Sequence, residues 1–227
     1  MNGLLLVNKP VGMTSFDVIR RLRRVTGERK IGHAGTLDPL ASGLMLVLFG
    51  TACKQAQGLT KLDKRYLARV RLGQTSSTGD GEGEKTAVSE RVPSADEVRA
   101  ALADLTGQLS QVPPVYSAIK IGGREAYKRA RAGEAVVMPA RTVTVYENRL
   151  LGYEYPFVEL EAAVSSGTYI RTLAQDVGER LGTGGYLAGL VRTEAGRYGL
   201  AAAVDLDRAD AGAVRERLID ISIADGA

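Results

Sequence analysis

Thiol and imidazole groups are almost missing from this chain. Among 227 residues there is one cysteine, Cys53, and one histidine, His33. A single cysteine excludes an internal disulfide framework and suits a reducing compartment, so the sequence predicts a cytoplasmic protein. One histidine and one cysteine cannot furnish an ordinary structural zinc site. Long apolar runs are also lacking. The N-terminal run, Leu4 to Val7, is too short for a signal peptide or a membrane span, and no membrane role is expected. A net charge of +4 is too small for a polycation as a whole. Internal repeats and low-complexity tracts are absent. What remains, 44% hydrophobic and 25% charged, is ordinary globular composition. The length suits one large domain, or a domain with a small appendage.

The stretch Gly32-His33-Ala34-Gly35-Thr36-Leu37-Asp38-Pro39-Leu40-Ala41-Ser42-Gly43 stands out. It holds the only histidine, and an acid set between an apolar residue and a proline. Pro39 biases Asp38 toward extended backbone. Gly32, Gly35 and Gly43 permit tight turns or close approach by another molecule. The apolar run Leu44 to Phe49 follows at once and reads as a buried strand that anchors the loop. A carboxylate so placed suits a nucleophile or a base. A turn acid that only bonds nearby backbone fits the same residues.

Along the chain, Leu4 to Val7 reads as a strand closed by Asn8-Lys9-Pro10. Thr14 or Ser15 caps a helix with Val18, Ile19, Leu22 and Val25 as its apolar stripe, and Gly27 ends it. The other face carries Arg20, Arg21, Arg23 and Arg24, with Arg29 and Lys30 just beyond and only Glu28 against them. Such a concentration suits phosphate contact. Tyr66 to Leu72 alternates as a strand, with Tyr66, Ala68, Val70 and Leu72 on one face. Thr75 to Thr86 reads as a flexible polar loop; the acids in Gly79-Asp80-Gly81-Glu82-Gly83-Glu84 speak against phosphate binding. Ser94 and Glu97 form a capping box for a helix burying Val98, Ala101, Leu102 and Leu105, stopped by Gly107.

Val112 to Lys120 is held extended by Pro113-Pro114. Arg124 to Ala132 reads as a short basic helix, and Thr142 to Leu151 and Phe157 to Val164 as strands. Ser165 to Arg171 leads into a helix with Ile170, Leu173, Ala174, Val177 and Leu181 on one face. Gly182 to Gly199 reads as a turn and strand, and Ala213 to Ile219 as a last amphipathic helix. Strands and helices mix without regular βαβ alternation, which predicts an α+β fold with a mixed sheet.

Several blocks together resemble one family. Asn8-Lys9-Pro10 with Gly12 and Thr14-Ser15, the Gly32 to Gly43 block, Lys64-Arg65-Tyr66, Val112 to Lys120, Ser166 to Arg171, and Leu190 with Arg192-Thr193 are similar to the bacterial tRNA pseudouridine(55) synthases of the TruB type. They occur in the family's order over roughly residues 2 to 200. The resemblance implies the pseudouridine synthase fold, a mixed and largely antiparallel central sheet flanked by helices and loops. It implies one catalytic domain over 1–227, with a thumb-like RNA-binding insertion at about 120–150. The small C-terminal RNA-binding domain of longer relatives is expected to be absent or truncated, since the chain stops at Ala227.

By the same resemblance, the activity is isomerisation of uridine 55 in the TΨC loop of tRNA, by base flipping and without cofactor or metal. The partner is the T-arm stem-loop, and no obligate protein partner is implied. Asp38 matches the essential aspartate, Tyr66 the tyrosine packed against the target base, and Arg171 an arginine that pairs with the aspartate. Tyr169 and Leu190 match pocket residues around the flipped nucleoside. His33 matches a histidine stacking within the opened RNA loop, and Lys9 a lysine near the active site. Two other classes fit parts of the pattern. A non-catalytic tRNA-binding or folding module would not need Asp38, Tyr66 and Arg171 together. A glycoside hydrolase usually places two acids at its site, and the blocks around Asp38 offer one.

Overall fold

Alternating and continuous apolar runs are what build this molecule's sheet. The computed structural model describes residues 1–117 and 119–221. Ala118, inside the proline-containing block, and residues 222–227 lie outside them. The chain divides into two compact units, Met1–Tyr66 with Leu190–Ala227, and Leu67–Gly189. No helix among the described residues is long and apolar enough to cross a membrane.

The first unit contains β1 (Gly3–Lys9), α1 (Ser15–Thr26), β2 (Ile31–Ala34), β3 (Ala41–Phe49), α2 (Ala56–Thr60) and the start of β4 (Lys64–Leu72). From the C-terminal half come the end of β12 (Gly185–Ala195), β13 (Tyr198–Gly199), β14 (Val204–Asp205) and α6 (Ala211–Glu216). The strand order runs β14-β1-β3-β12-β4, with β2 added to β3 and β13 to β12. β1 is parallel to β14 and antiparallel to β3, and β3 is parallel to β12. The sheet is therefore mixed, as expected.

β1 and β3 are apolar on both faces, the signature of strands covered on two sides. Leu5, Val7, Met45, Val47 and Phe49 pack with Val18, Ile19 and Leu22 of α1. Leu4, Leu6, Leu44, Leu46 and Leu48 pack on the opposite side with Ala52, Ala195 and Tyr198. Helix α1 begins at a capping box in which the Thr14 hydroxyl accepts from Asp17 N and Asp17 accepts from Thr14 N. It ends at Gly27, whose φ of 72° is a left-handed cap. The last helix is shorter and earlier than the periodicity suggested. Ile219 instead makes a bridge with Leu4, its N–H and C=O both 2.8 Å from Leu4 partners.

The second unit contains the rest of β4, β5 (Gln74–Ser76), β6 (Lys85–Ala87), α3 (Ala95–Asp104) and β7 (Gly107–Gln111). Next come β8 (Lys120–Ile121), β9 (Arg124–Glu125), α4 (Ala126–Arg131), β10 (Arg141–Glu154), β11 (Phe157–Val164), α5 (Ile170–Arg180) and the start of β12. Its strands follow the order β4-β11-β10-β7, and the pairs β10–β11 and β10–β7 are antiparallel. Val98, Ala101, Leu102 and Leu105 are buried as the capping box at Ser94 and Glu97 predicted. Gly107 does not stop α3; the helix is capped at Leu105, and Gly107 opens β7.

Two sequence expectations need correction here. The ends of the Thr75 to Thr86 stretch pair as a β5–β6 hairpin, with Gln74 opposite Ala87 and Ser76 opposite Lys85, and only residues 77–84 remain a connecting loop. Its acidic tip is tied down by Lys85, whose ammonium donates to the carbonyls of Gly81 and Gly83. The basic segment from Arg124 opens as β9, paired with β8, before α4 begins at Ala126.

Candidate active site

The acid loop is narrower than its glycines implied. Ile31 to Ala34 pairs with Phe49 to Leu46 as β2, and β3 starts at Ala41, so only Gly35 to Leu40 is free of strand. His33 therefore sits in a strand opposite Val47 and not in a loop. Its Nδ1 is buried and has no hydrogen-bond partner among the described residues. Burial, helped by the positive charge of Arg192, pushes its pKa down, so the imidazole is neutral at pH 7.

Asp38 lies half-buried at the centre of that loop. Its carbonyl accepts from Ala41 N at 3.1 Å, closing the turn into β3. The preceding residue, Leu37, is buried and bonded at both ends to one hydroxyl. Ser15 Oγ accepts from Leu37 N at 2.9 Å and donates to Leu37 O at 3.0 Å. Pro39 O accepts from Gly12 N at 2.8 Å. Backbone on both sides of the acid is thus fixed by the segment that starts α1.

Lys9, at the end of β1, is fully buried and donates to the carbonyls of Pro10 at 2.9 Å and Met13 at 2.6 Å. Burial brings its pKa down to about 8; the nearby Asp38 charge pulls it up and Arg192 pulls it further down. Tyr66 is 8% exposed, at the head of the row Ala68, Val70 and Leu72 that β4 buries. Leu190 is half-buried on β12, in register with Ala41 across the parallel pair. Lys9, His33, Asp38, Tyr66 and Leu190 all belong to the first unit.

Tyr169 and Arg171 belong to the second unit, where the loop after β11 enters α5. Gln111 of β7 clamps the Tyr169 backbone, accepting from its N–H at 3.0 Å and donating to its carbonyl at 3.3 Å. The guanidinium of Arg141 lies over the Tyr169 ring at 4.8 Å. Arg171 is 5% exposed and donates to Thr78 O at 3.3 Å and Tyr116 O at 2.7 Å. Its Nη1 also stands 3.4 Å from Asp80 Oδ2.

Asp80 is the residue that sequence reasoning missed. It sits at the tip of the hairpin dismissed as an acidic loop, yet it is 3% exposed. Its second oxygen accepts from the Thr78 hydroxyl at 2.5 Å and from Glu82 N at 3.0 Å. A signal was present in Thr78-Gly79-Asp80-Gly81: an acid between glycines, two residues after a hydroxyl, suits a compact turn that bonds its own backbone. A buried acid beside a buried arginine also offsets the cost of desolvating both charges.

The arginine face of α1 is less free than its sequence suggested. Arg20 is paired with Asp17, and Arg21 with Asp207 at 2.8 Å. Arg20 and Arg23 also flank the exposed ring of Phe16, each 5.8 Å from its centroid. No group of three or more His, Cys, Asp or Glu among the described residues is placed to hold a metal.

Comparison with known proteins places the chain as a whole in a family. Residues 23–170 match the family model for the TruB family pseudouridylate synthase, N-terminal domain. The chain is 47% identical over 221 residues to tRNA pseudouridine synthase B of Cupriavidus metallidurans, covering 96% of this chain and 70% of the relative. It is 48% identical over 210 residues to the protein of that name from a Mycobacterium species, covering 90% of this chain and 71% of the relative. Among solved structures, a chain of a Cbf5–Nop10–Gar1 complex superposes with a TM-score of 0.72 at 28% identity, over 90% of this chain and 52% of that one. A chain of an H/ACA RNP bound to a substrate RNA containing 2′-deoxyuridine gives 0.68 at 26%, over 90% and 51%. This chain thus spans about half the length of those solved chains. The matched family segment runs from the arginine face of α1 through the Asp38 loop and the Asp80 hairpin to the first residue of α5, and the chain belongs to the TruB family of pseudouridylate synthases, an isomerase with the pseudouridine synthase fold.

Proposed function

We propose that this chain converts uridine 55 in the TΨC loop of tRNA to pseudouridine, taking the T-arm stem-loop as the recognised part of its substrate. One observation carries the reading: near-half identity across almost the whole chain to relatives named tRNA pseudouridine synthase B. The Asp38 loop is consistent with it. A carboxylate on a turn pinned at Leu37, Asp38 and Pro39 is held in place before any substrate arrives.

The reaction breaks the bond from uracil N1 to ribose C1′, turns the base, and joins C5 to C1′. The hydrogen at C5 leaves as a proton and N1 gains one, so product and substrate are isomers and no oxidant, reductant or nucleoside triphosphate is consumed. In this reading Asp38 supplies the reacting carboxylate, Tyr66 an aromatic face for the target base, and Arg171 a fixed positive charge. Tyr169 and Leu190 are each a contact for the flipped nucleoside, His33 stacks within the opened RNA loop, and Lys9 supports the Asp38 loop from beneath. The base must leave its stack to be reached, at a cost of about a few kcal/mol, and stacking on aromatic rings recovers part of that. A neutral His33 suits stacking better than a charged one, since a neutral ring loses less hydration on being covered. The same reading places the protein with its tRNA in the cytoplasm.

The test is incubation of an unmodified tRNA transcript, and of its isolated T-arm stem-loop, with the pure protein in EDTA. Base-resolution mapping should find pseudouridine at position 55 in both. Free uracil in place of pseudouridine, or product at other sites only, would overturn the proposal.

A further inference from the structure

The edge of β3 facing away from β1 is shared by two strands that do not meet. β2 pairs with it as far as Ala34 opposite Leu46, and β12 as far as Arg192 opposite Gly43. Leu44 and Met45 fall in the gap between those registers, and the acid loop from Gly35 to Leu40 leaves the sheet there. An unpaired strand carbonyl in a buried gap needs a donor. The side chain of Arg192 supplies it: Nε donates to Leu44 O at 2.6 Å, and Nη2 donates to Gly35 O at 3.1 Å. Arg192 is 1% exposed, among the largest fully buried side chains of the protein.

The glycines of the acid loop are shaped around this residue. At Gly35, with φ 82°, a Cβ would lie 3.3 Å from Arg192 Nη1. At Gly43, with φ 98°, a Cβ would lie 2.8 Å from Arg192 N, closer than a real Cβ can come. The close approach at Gly35 is therefore made by the guanidinium of Arg192, and that at Gly43 by the backbone of the paired strand β12. Among the described residues the guanidinium's partners are carbonyls, an expensive burial compared with an apolar residue of similar volume. Its two bonds span the loop, one at the first loop residue and one just inside β3 beyond the last.

We infer that Arg192 is a positioning residue for Asp38, fixing the separation of the two ends of the acid loop and with it the place of the carboxylate. The inference rests on the reading of Asp38 as the reacting acid. It does not give Arg192 any contact with RNA.

The experiment measures single-turnover pseudouridine formation on an unmodified T-arm stem-loop at saturating protein, with Kd measured separately, for R192M, R192K and Asp38→Asn. A carboxylate displaced by about 1 Å costs on the order of 100-fold in rate. R192M should show a loss of that size with Kd within about twofold of the parent. R192K keeps the charge and one of the two carbonyl bonds, and should recover about tenfold of that loss. A rate in R192K equal to the parent, or a loss of affinity equal to the loss of rate in either variant, overturns the inference. If R192M does not fold, R192K decides alone, by a reduced rate at unchanged Kd or by a parental rate. Product from Asp38→Asn would instead overturn the reading of Asp38, and an inactive Asp38→Asn beside fully active Arg192 variants would overturn only the role of Arg192.

Discussion

Asp80 and Arg171 face each other inside the second unit, 3.4 Å apart, each with a side chain 5% exposed. Ninety-one positions separate them in sequence, and the hairpin tip that carries the acid folds back to meet the start of α5. Removing one member of a buried pair strands the other charge, typically at a cost of about 3–5 kcal/mol. Asp80→Ala should therefore be strongly destabilised in urea. Asp80→Asn keeps an acceptor for the Thr78 hydroxyl and Glu82 N and should lose less, about 1–3 kcal/mol. Both should turn over at least about tenfold more slowly, through a misplaced Arg171. An Asp80→Ala protein unfolding at the parental urea midpoint would show that the pair contributes nothing.

Asp38→Asn should abolish product formation and leave RNA affinity almost unchanged. The amide is a weaker nucleophile and a poorer base, while the loop around it is held by backbone and Ser15 bonds that the substitution does not touch. Single-turnover assays with a filter-binding Kd measure both quantities. Product at more than a small fraction of the parental rate removes Asp38 from the chemistry.

Tyr66→Phe and Tyr66→Ala should part in stability and agree in turnover. Tyr66 is buried at the head of the inward row of β4, so alanine leaves a cavity costing about 3–5 kcal/mol, whereas phenylalanine keeps the volume. Thermal unfolding should separate them. Normal turnover in the phenylalanine variant would assign the tyrosine hydroxyl no part in the reaction.

On α1, the acid partners of Arg20 and Arg21 change which cations matter for RNA. Arg23→Gln with Arg24→Gln should weaken binding more than Arg20→Gln with Arg21→Gln, whose charges are already matched by Asp17 and Asp207. Each lost phosphate contact should flatten the log–log salt dependence by about 0.7–0.9. Equal slopes for the two double variants would show that the helix does not rank its arginines this way.

Asp176, half-buried on α5, has its carboxyl pushed up to about 6 by burial and by the neighbouring Glu179, with Arg180 opposing. The folded state then holds more protons than the unfolded between about pH 4 and pH 6. Its contribution to stability accordingly falls as pH rises through that window. Asp176→Asn should stabilise the protein at pH 7, on the order of 1 kcal/mol after solvent screening is allowed for. The gain should vanish near pH 4. Urea midpoints at the two pH values check it, and an equal gain at both would refute the titration argument.

What could be read from the sequence was whatever is decided within a few residues. The capping box at Ser94, the Gly27 cap, the alternation of β4 and the apolar stripe of α5 are local, and each is present. Position 33 misled because glycines on either side hide a four-residue strand, which only pairing with β3 reveals. The acidic hairpin tip misled for a different reason. Its composition is that of a solvated loop, and the pairing of Asp80 with Arg171, 91 positions away, is invisible to a local reading. Arg192 was legible as part of a family block, but its partner Leu44 is 148 positions away, beyond the reach of any periodicity.

The single hydroxyl of Ser15 has a mechanical meaning. It belongs to the first turn of α1 and grips both backbone polar groups of Leu37, the residue before Asp38, so the start of the helix and the acid turn are tied at one point. In the proposed reading, a backbone phosphate seated on the outer surface of that helix would lie at a set distance from the acid turn. In that reading, a strand anchored there would set how far a nucleotide must swing to reach the acid, before any base is touched.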